Sequence, residues 1–138
     1  MQPSGSSVYP TARINDHGDI FWVMQFYMDG AAQGDADELK EAVPEDARML
    51  GGFMGTHYDI PDAELFRLSE TAPADMGKYH VQIISVRQTS DVAFAAVSED
   101  GFWRTVSFVD YFLLTRMDGK WKITCETFAH TGDEPPMP

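Results

Sequence analysis

Two long alternating runs of apolar residues meet at Asp118-Gly119, and no other feature of this chain restricts its fold as tightly. An Asp-Gly pair favours the hairpin turn in which both central residues take positive φ, because that turn matches the twist of the strands it joins. The register can therefore be counted. Outward from Met117 and Lys120, Arg116 falls opposite Trp121, Leu114 opposite Ile123, Phe112 opposite Cys125, Asp110 opposite Thr127 and Phe108 opposite Ala129. On this count those pairs share one face, whose single carboxylate is Asp110. The other face carries Thr115, Leu113, Tyr111 and Val109 against Lys122, Thr124, Glu126 and Phe128.

Upstream, the hydrophobic period changes. Asp16 with Asp19 three residues on opens a helix whose apolar positions are Ile20, Val23, Met24, Tyr27, Met28 and Ala31. Phe21, Trp22 and Phe26 extend its apolar surface, which predicts burial on several sides. Gly34 ends this helix, and Asp35 with Glu38 forms a capping box for a second, stopped by Pro44. Residues 47–52 read as a short strand and 58–61 as a turn or short strand. A third helix runs from Pro61 to about Glu70, followed by a loop of Pro, Gly and Asp. Strands at 79–87 and 92–98 lead into the hairpin. Helices segregated to one side of an antiparallel sheet make an α+β domain. Residues 1–15 read as a flexible arm, 16–132 as one domain and 133–138 as a flexible tail.

Composition limits the partners. The 138 residues suffice to remove roughly two thirds of the unfolded surface from water. An apolar content of 43%, rich in Phe and Met, suits either a lined cavity or a buried subunit face, with a plain aromatic core as the alternative. The net charge of −12 is spread along the chain and repels phosphate backbones and anionic lipid, which argues against nucleic acid and membrane partners. The lone Cys125, counted on the inward face, reads as a small buried hydrophobe and fits a reducing, cytoplasmic setting. No run reaches the length of a membrane-spanning helix.

Four strings in order carry a resemblance: Tyr27 to Asp35, Pro44 to Arg48, Asp91 to Ala95, and Asp110-Tyr111-Phe112 leading to Asp118–Ile123. Over residues 18–130 the chain resembles the nuclear transport factor 2-like superfamily, and within it the SnoaL-like proteins of the Putative lumazine-binding group. The resemblance implies a cystatin-like α+β roll: a cone-shaped, curved antiparallel β-sheet wrapped around three N-terminal helices, open to a deep apolar pocket. It also implies a homodimer packed through the sheet, for which Val109, Tyr111, Leu113 and Phe128 supply the surface. Relatives include isomerases, dehydratases, epoxide hydrolases, polyketide cyclases and carriers, so fold alone does not choose a reaction. Tyr27 stands at the spacing of the steroid isomerases' oxyanion donor, and Asp110 lies one residue from the position of their second donor. Their general base would fall at Gly51, which cannot abstract a proton.

The candidate catalytic residues are Asp110, as acid or base, and Tyr27, as its hydrogen-bonding partner. The plain alternative for Asp110 is an ion pair with Arg104, Arg116 or Arg48, and for Tyr27 a core position with a satisfied hydroxyl. Trp22, Phe26, Phe108 and Phe112 are candidates to contact a flat ligand, and His130 to titrate at the pocket rim. The scattered histidines give no metal-ligand spacing, and neither a phosphate-binding loop nor a nucleophile elbow occurs. No cofactor is implied. The expectation is a cytoplasmic dimer that binds a small apolar or aromatic molecule. A cofactor-independent lyase or isomerase of the polyketide cyclase or dehydratase style is the alternative, and a structural or protein-interaction module the third reading.

Overall fold

The computed structural model describes residues 14–72, 74 and 77–132. Most of the arm expected over residues 1–15, all of the tail over 133–138 and part of the loop after the third helix lie outside them. In order come α1 (Ile14–Gln33), α2 (Ala36–Ala42), β1 (Arg48–Phe53), β2 (Thr56–Pro61), α3 (Asp62–Thr71), β3 (His80–Thr89), β4 (Val92–Phe102), β5 (Val106–Met117) and β6 (Lys120–Gly132). Helix α1 thus begins before Asp16. Gly34, at φ 73°, turns the chain out of α1, and the Asp35 side chain accepts from the amides of Asp37 and Glu38 to start α2.

The six strands form one curved, unclosed sheet in the order β2-β1-β6-β5-β4-β3, with the helices on its inner face. Every pairing is antiparallel except β1 with β6, which run parallel because the chain returns from α2 alongside the last strand. The sheet is therefore mixed, not wholly antiparallel. Register irregularities interrupt β3–β4, β4–β5 and, twice, β5–β6, and such bulges bend and twist a sheet around its contents. No helix among the described residues is long and apolar enough to cross a membrane.

The core lies between α1, α2 and the inner faces of β4 to β6. Ile20, Met24 and Leu39 meet Phe112, Leu114 and Ile123, all at most 1% exposed. The helical period read from the sequence holds on this side, since Tyr27, Met28 and Ala31 are buried too. It fails on the other: Phe21 is 45% and Trp22 64% exposed, so α1 is buried along one side only.

One bulge alters the hairpin. The counted register holds from Met117–Lys120 to Leu114–Ile123, and then Thr124 is passed over, so that Leu113 pairs with Cys125 and Phe112 with Glu126. Because side chains alternate with a period of two, one extra residue turns everything beyond it to the opposite face. Glu126 and Phe128 point inward beside Phe112 and Asp110, and Cys125 leaves the inner face. The predicted placement of Phe128 on the outer surface and of Cys125 inside is thereby reversed.

Candidate functional site

A cavity of about 330 Å³ lies between the sheet, α1 and α3, and the bulge turns Glu126 and Phe128 into its wall. Its walls are mainly ring faces, from Phe53 on β1, Tyr58 on β2, Phe102 and Trp103 at the β4–β5 turn, Phe108 on β5 and Phe128 on β6, with Met49, Ile60 and Leu68 between them. The rings brace one another: Phe108 lies 5.4 Å from Phe53, 5.4 Å from Phe102 and 5.8 Å from Phe128 between centroids, the last two edge to face. Trp103 is fixed by its indole, which donates to the Ala72 carbonyl at 3.1 Å.

Set into this apolar wall are Glu99, Asp110 and Glu126, each at most 3% exposed, with Asp62 fully buried behind Glu126. Each comes from a different element. Asp62 opens α3, and its amide donates to the Ala47 carbonyl at 2.8 Å, while the other three sit on adjacent strands. The acids form two pairs. Glu126 lies beside Asp62, and Asp110 beside Glu99. Two neighbouring carboxyl groups in an apolar setting cannot both ionise cheaply. Tyrosines complete each pair: the Tyr27 hydroxyl donates to both Glu126 oxygens at 3.2 and 3.0 Å, and the Tyr79 hydroxyl donates to Glu99 at 2.6 Å.

The titration follows from this packing. Burial, then the charge and hydrogen bond of Glu99, push the Asp110 carboxyl well above the usual carboxylate range. Burial and then Asp62 do the same to Glu126, against the opposing donation from Tyr27. Asp62 is pushed by burial up to about 6, with its bond to Glu126 acting the other way. Burial and the adjacent acids also raise both phenols, which therefore stay protonated as donors.

The sequence-derived candidates separate here. Tyr27, Asp110 and Phe108 line the cavity. Tyr27 bonds Glu126, however, and not Asp110, its expected partner. Asp110 has a carboxyl neighbour and not an arginine, since Arg48 pairs with Asp59, Arg116 with Asp91, and Arg104 is exposed. Phe112 is fully buried in the core, edge-on to Tyr27 at 4.8 Å. Trp22 and Phe26 stack on each other along α1 at 6.0 Å, away from the cavity lining, because α1 turns Tyr27 and not its other aromatics toward the acids. His130 stands behind the wall, with its ring 4.9 Å from Phe53 and Nε2 3.0 Å from the Gly132 carbonyl.

Sequence reasoning missed Glu99, Glu126 and Asp62. Glu99 continues the inward series Ala93, Ala95, Val97 and is found by carrying β4 past Ser98. Glu126 needed the bulge, and Asp62 looks like an ordinary acid in the first turn of a helix. Where the resemblance expects a general base, Gly51 leaves room for Phe128: a Cβ there would meet the Phe128 carbonyl and come within 2.8 Å of its ring. Among the described residues, no cluster of three or more His, Cys, Asp or Glu is arranged to hold a metal.

A roll of this kind, with its pocket walled by rings and floored by acids, has known relatives. The model of the Putative lumazine-binding family matches residues 15–129, and the chain belongs to that family. Its backbone is similar to an NTF2-like protein of unknown function from Shewanella baltica, at a TM-score of 0.80 and 19% identity over 90% of this chain and 100% of that one. A second NTF2-like protein of unknown function, from Methylobacillus flagellatus, has a TM-score of 0.80 and 26% identity over 88% and 97%. A ketosteroid isomerase-like protein from Erwinia carotovora atroseptica has a TM-score of 0.66 and 15% identity over 88% and 100%. These likenesses establish a nuclear transport factor 2-like, cystatin-like α+β fold. A stretch of 92 residues is also 33% identical to the succinate–CoA ligase [ADP-forming] subunit beta of Verminephrobacter eiseniae. That match takes in 61% of this chain, which spans about a quarter (24%) of the length of that subunit.

Proposed function

We propose that this protein binds a small, largely apolar or aromatic molecule in the cavity beneath β1, β5 and β6. One observation carries the reading: about 330 Å³ inside the roll is left unfilled, and it is enclosed by aromatic rings with acids at a single region of the wall. A cavity of that size accommodates a molecule of one or two rings, whereas a purely structural module would fill its cone with its own side chains. The family's lumazine-binding description points the same way. A nucleotide or coenzyme A thioester, as the ligase likeness would suggest, finds no basic group among the lining residues. The test is a thermal-shift and calorimetric titration with lumazine and a panel of one- and two-ring aromatics on the wild type and on Leu68→Trp, which fills the cavity. Saturable binding by the wild type that Leu68→Trp abolishes supports the reading. Binding that is absent, or unaffected by the filling residue, overturns it.

A second reading, a cofactor-independent lyase or isomerase, is favoured by Asp110 standing in the cavity wall with its carboxyl pushed by burial well above the usual range, which suits it to donate a proton or a hydrogen bond to a bound carbonyl. In it Tyr27 acts through Glu126. The protein is further read as a cytoplasmic homodimer joined through the outer sheet face around Val109, Tyr111 and Leu113, with Phe128 reassigned to the pocket.

A further inference from the structure

We infer that the occupant of the cavity is an organic cation, an ammonium or amidinium compound carrying an aromatic ring or compact alkyl groups. The inference rests on the reading of this cavity as a binding site and names the chemical class that site selects.

The first ground is the lining. Among the described lining residues, three side chains are acids and none is basic. Both pairs, Asp110 with Glu99 and Glu126 with Asp62, are buried, and no basic side chain stands with them among the described lining residues. Neither Asp62 oxygen receives an N–H or a hydroxyl. The ion-paired arginines of the described residues, Arg48, Arg67 and Arg116, are engaged at the surface by Asp59, Glu64 and Asp91. A buried charge without a counter-ion is costly, and a cationic guest supplies the counter-ion.

The second ground is independent of the acids. Phe53, Phe102, Trp103, Phe108 and Phe128 turn ring surfaces to the same space, and the negative face of an aromatic ring attracts a cation. A lining of rings and carboxyl groups disfavours anions, while a neutral guest of the same shape gains apolar burial but gives the buried acids no counter-ion.

The groups facing the guest predict a proton linkage. They are Tyr27 from α1 and Glu99, Asp110 and Glu126 from adjacent strands, backed by Asp62 of α3 beside Glu126, by Tyr79, which donates to Glu99, and by His130 behind the ring wall. The phenols stay neutral, so Asp62, Asp110 and Glu126 titrate. A bound cation favours their ionised forms and expels protons into the buffer, and lowering the pH through about 6 protonates Asp62 and weakens the attraction.

The experiment compares phenyltrimethylammonium with tert-butylbenzene, which have one shape and differ in charge, by isothermal titration calorimetry on the full chain. At about pH 8 the cation is expected to bind at least about tenfold more tightly, with proton release detected as a dependence of the heat on buffer ionisation enthalpy. The preference should shrink at about pH 5. Replacing both acids of one pair, Asp110→Asn with Glu99→Gln, should reduce affinity for the cation while leaving that for the hydrocarbon within about twofold. Equal binding of the two probes, or tighter binding of the hydrocarbon, overturns the cation inference and leaves the cavity reading standing. If neither probe binds up to its solubility, both fall. The wild-type comparison decides the matter even if the variant does not fold.

Discussion

At the scale of single residues, the buried acids make stability depend on holding their protons. Asp62, fully buried at the start of α3, has its carboxyl pushed up to about 6 from an unfolded value near 3.8. The folded state therefore binds more protons than the unfolded chain between those values, and stability falls as pH rises through them. Two units correspond to at most about 3 kcal/mol, and the raised carboxyls of Asp110 and Glu126 act in the same direction. The melting temperature should be higher at about pH 5 than at about pH 8. Asp62→Asn should flatten that slope, and Asp46→Asn, which removes an equal charge from an exposed position, should not. Equal slopes in the two variants would assign the effect to the net charge of −12. Tyr27→Phe keeps the ring against Phe112 and removes the donor to Glu126, so it should cost about 1–3 kcal/mol in chemical denaturation.

At the scale of elements, the β5–β6 hairpin shows what a sequence does and does not make legible. Asp118-Gly119 and the alternation on either side specify the turn and the first pairs, because turn chemistry and period are local properties. Thr124 has no such mark. A β-branched polar residue suits a regular strand as well as a bulge, and only the sheet around it decides which, so the inward positions of Glu126 and Phe128 could not be counted from the turn. The parallel contact of β1 with β6 was hidden likewise, since it joins residues more than seventy apart. Asp110 and Tyr27 were legible because each lies on a regular stretch of β5 or α1, and Phe108 because it keeps the alternation of Phe112 and Asp110 up to the second irregularity. Deleting Thr124 should restore the simple register and send Glu126, Phe128 and His130 outward. The expected result is loss of cooperative unfolding, read by near-ultraviolet circular dichroism, whereas a Thr124→Ser substitution should preserve it. Gly51→Ala tests the same seam from β1. Its Cβ would press on the Phe128 carbonyl and ring, which should cost about 1–3 kcal/mol of stability.

At the scale of the whole molecule, the two faces of the sheet serve different ends. The inner face holds the core and cavity. The outer face exposes Tyr111 at 51%, Leu113 at 54% and Val92 at 53%, with Phe94 tilted against Tyr111 at 5.4 Å. Two copies of a chain carrying −12 repel one another, so association must come from apolar burial at this face and should tighten when salt screens the charge. Sedimentation velocity is expected to show a dimer, more complete at about 0.5 M than at about 0.05 M sodium chloride. Leu113→Glu should shift the protein to monomer without lowering ligand affinity. Phe128→Ala should do the reverse, because the Thr124 bulge has moved Phe128 from the outer surface to the cavity wall. A monomer at every concentration and salt would remove the dimer from the proposal while leaving the pocket intact. Dissociation caused by Phe128→Ala but not by Leu113→Glu would mean that the contact runs through the pocket mouth, tying oligomerisation to the ligand.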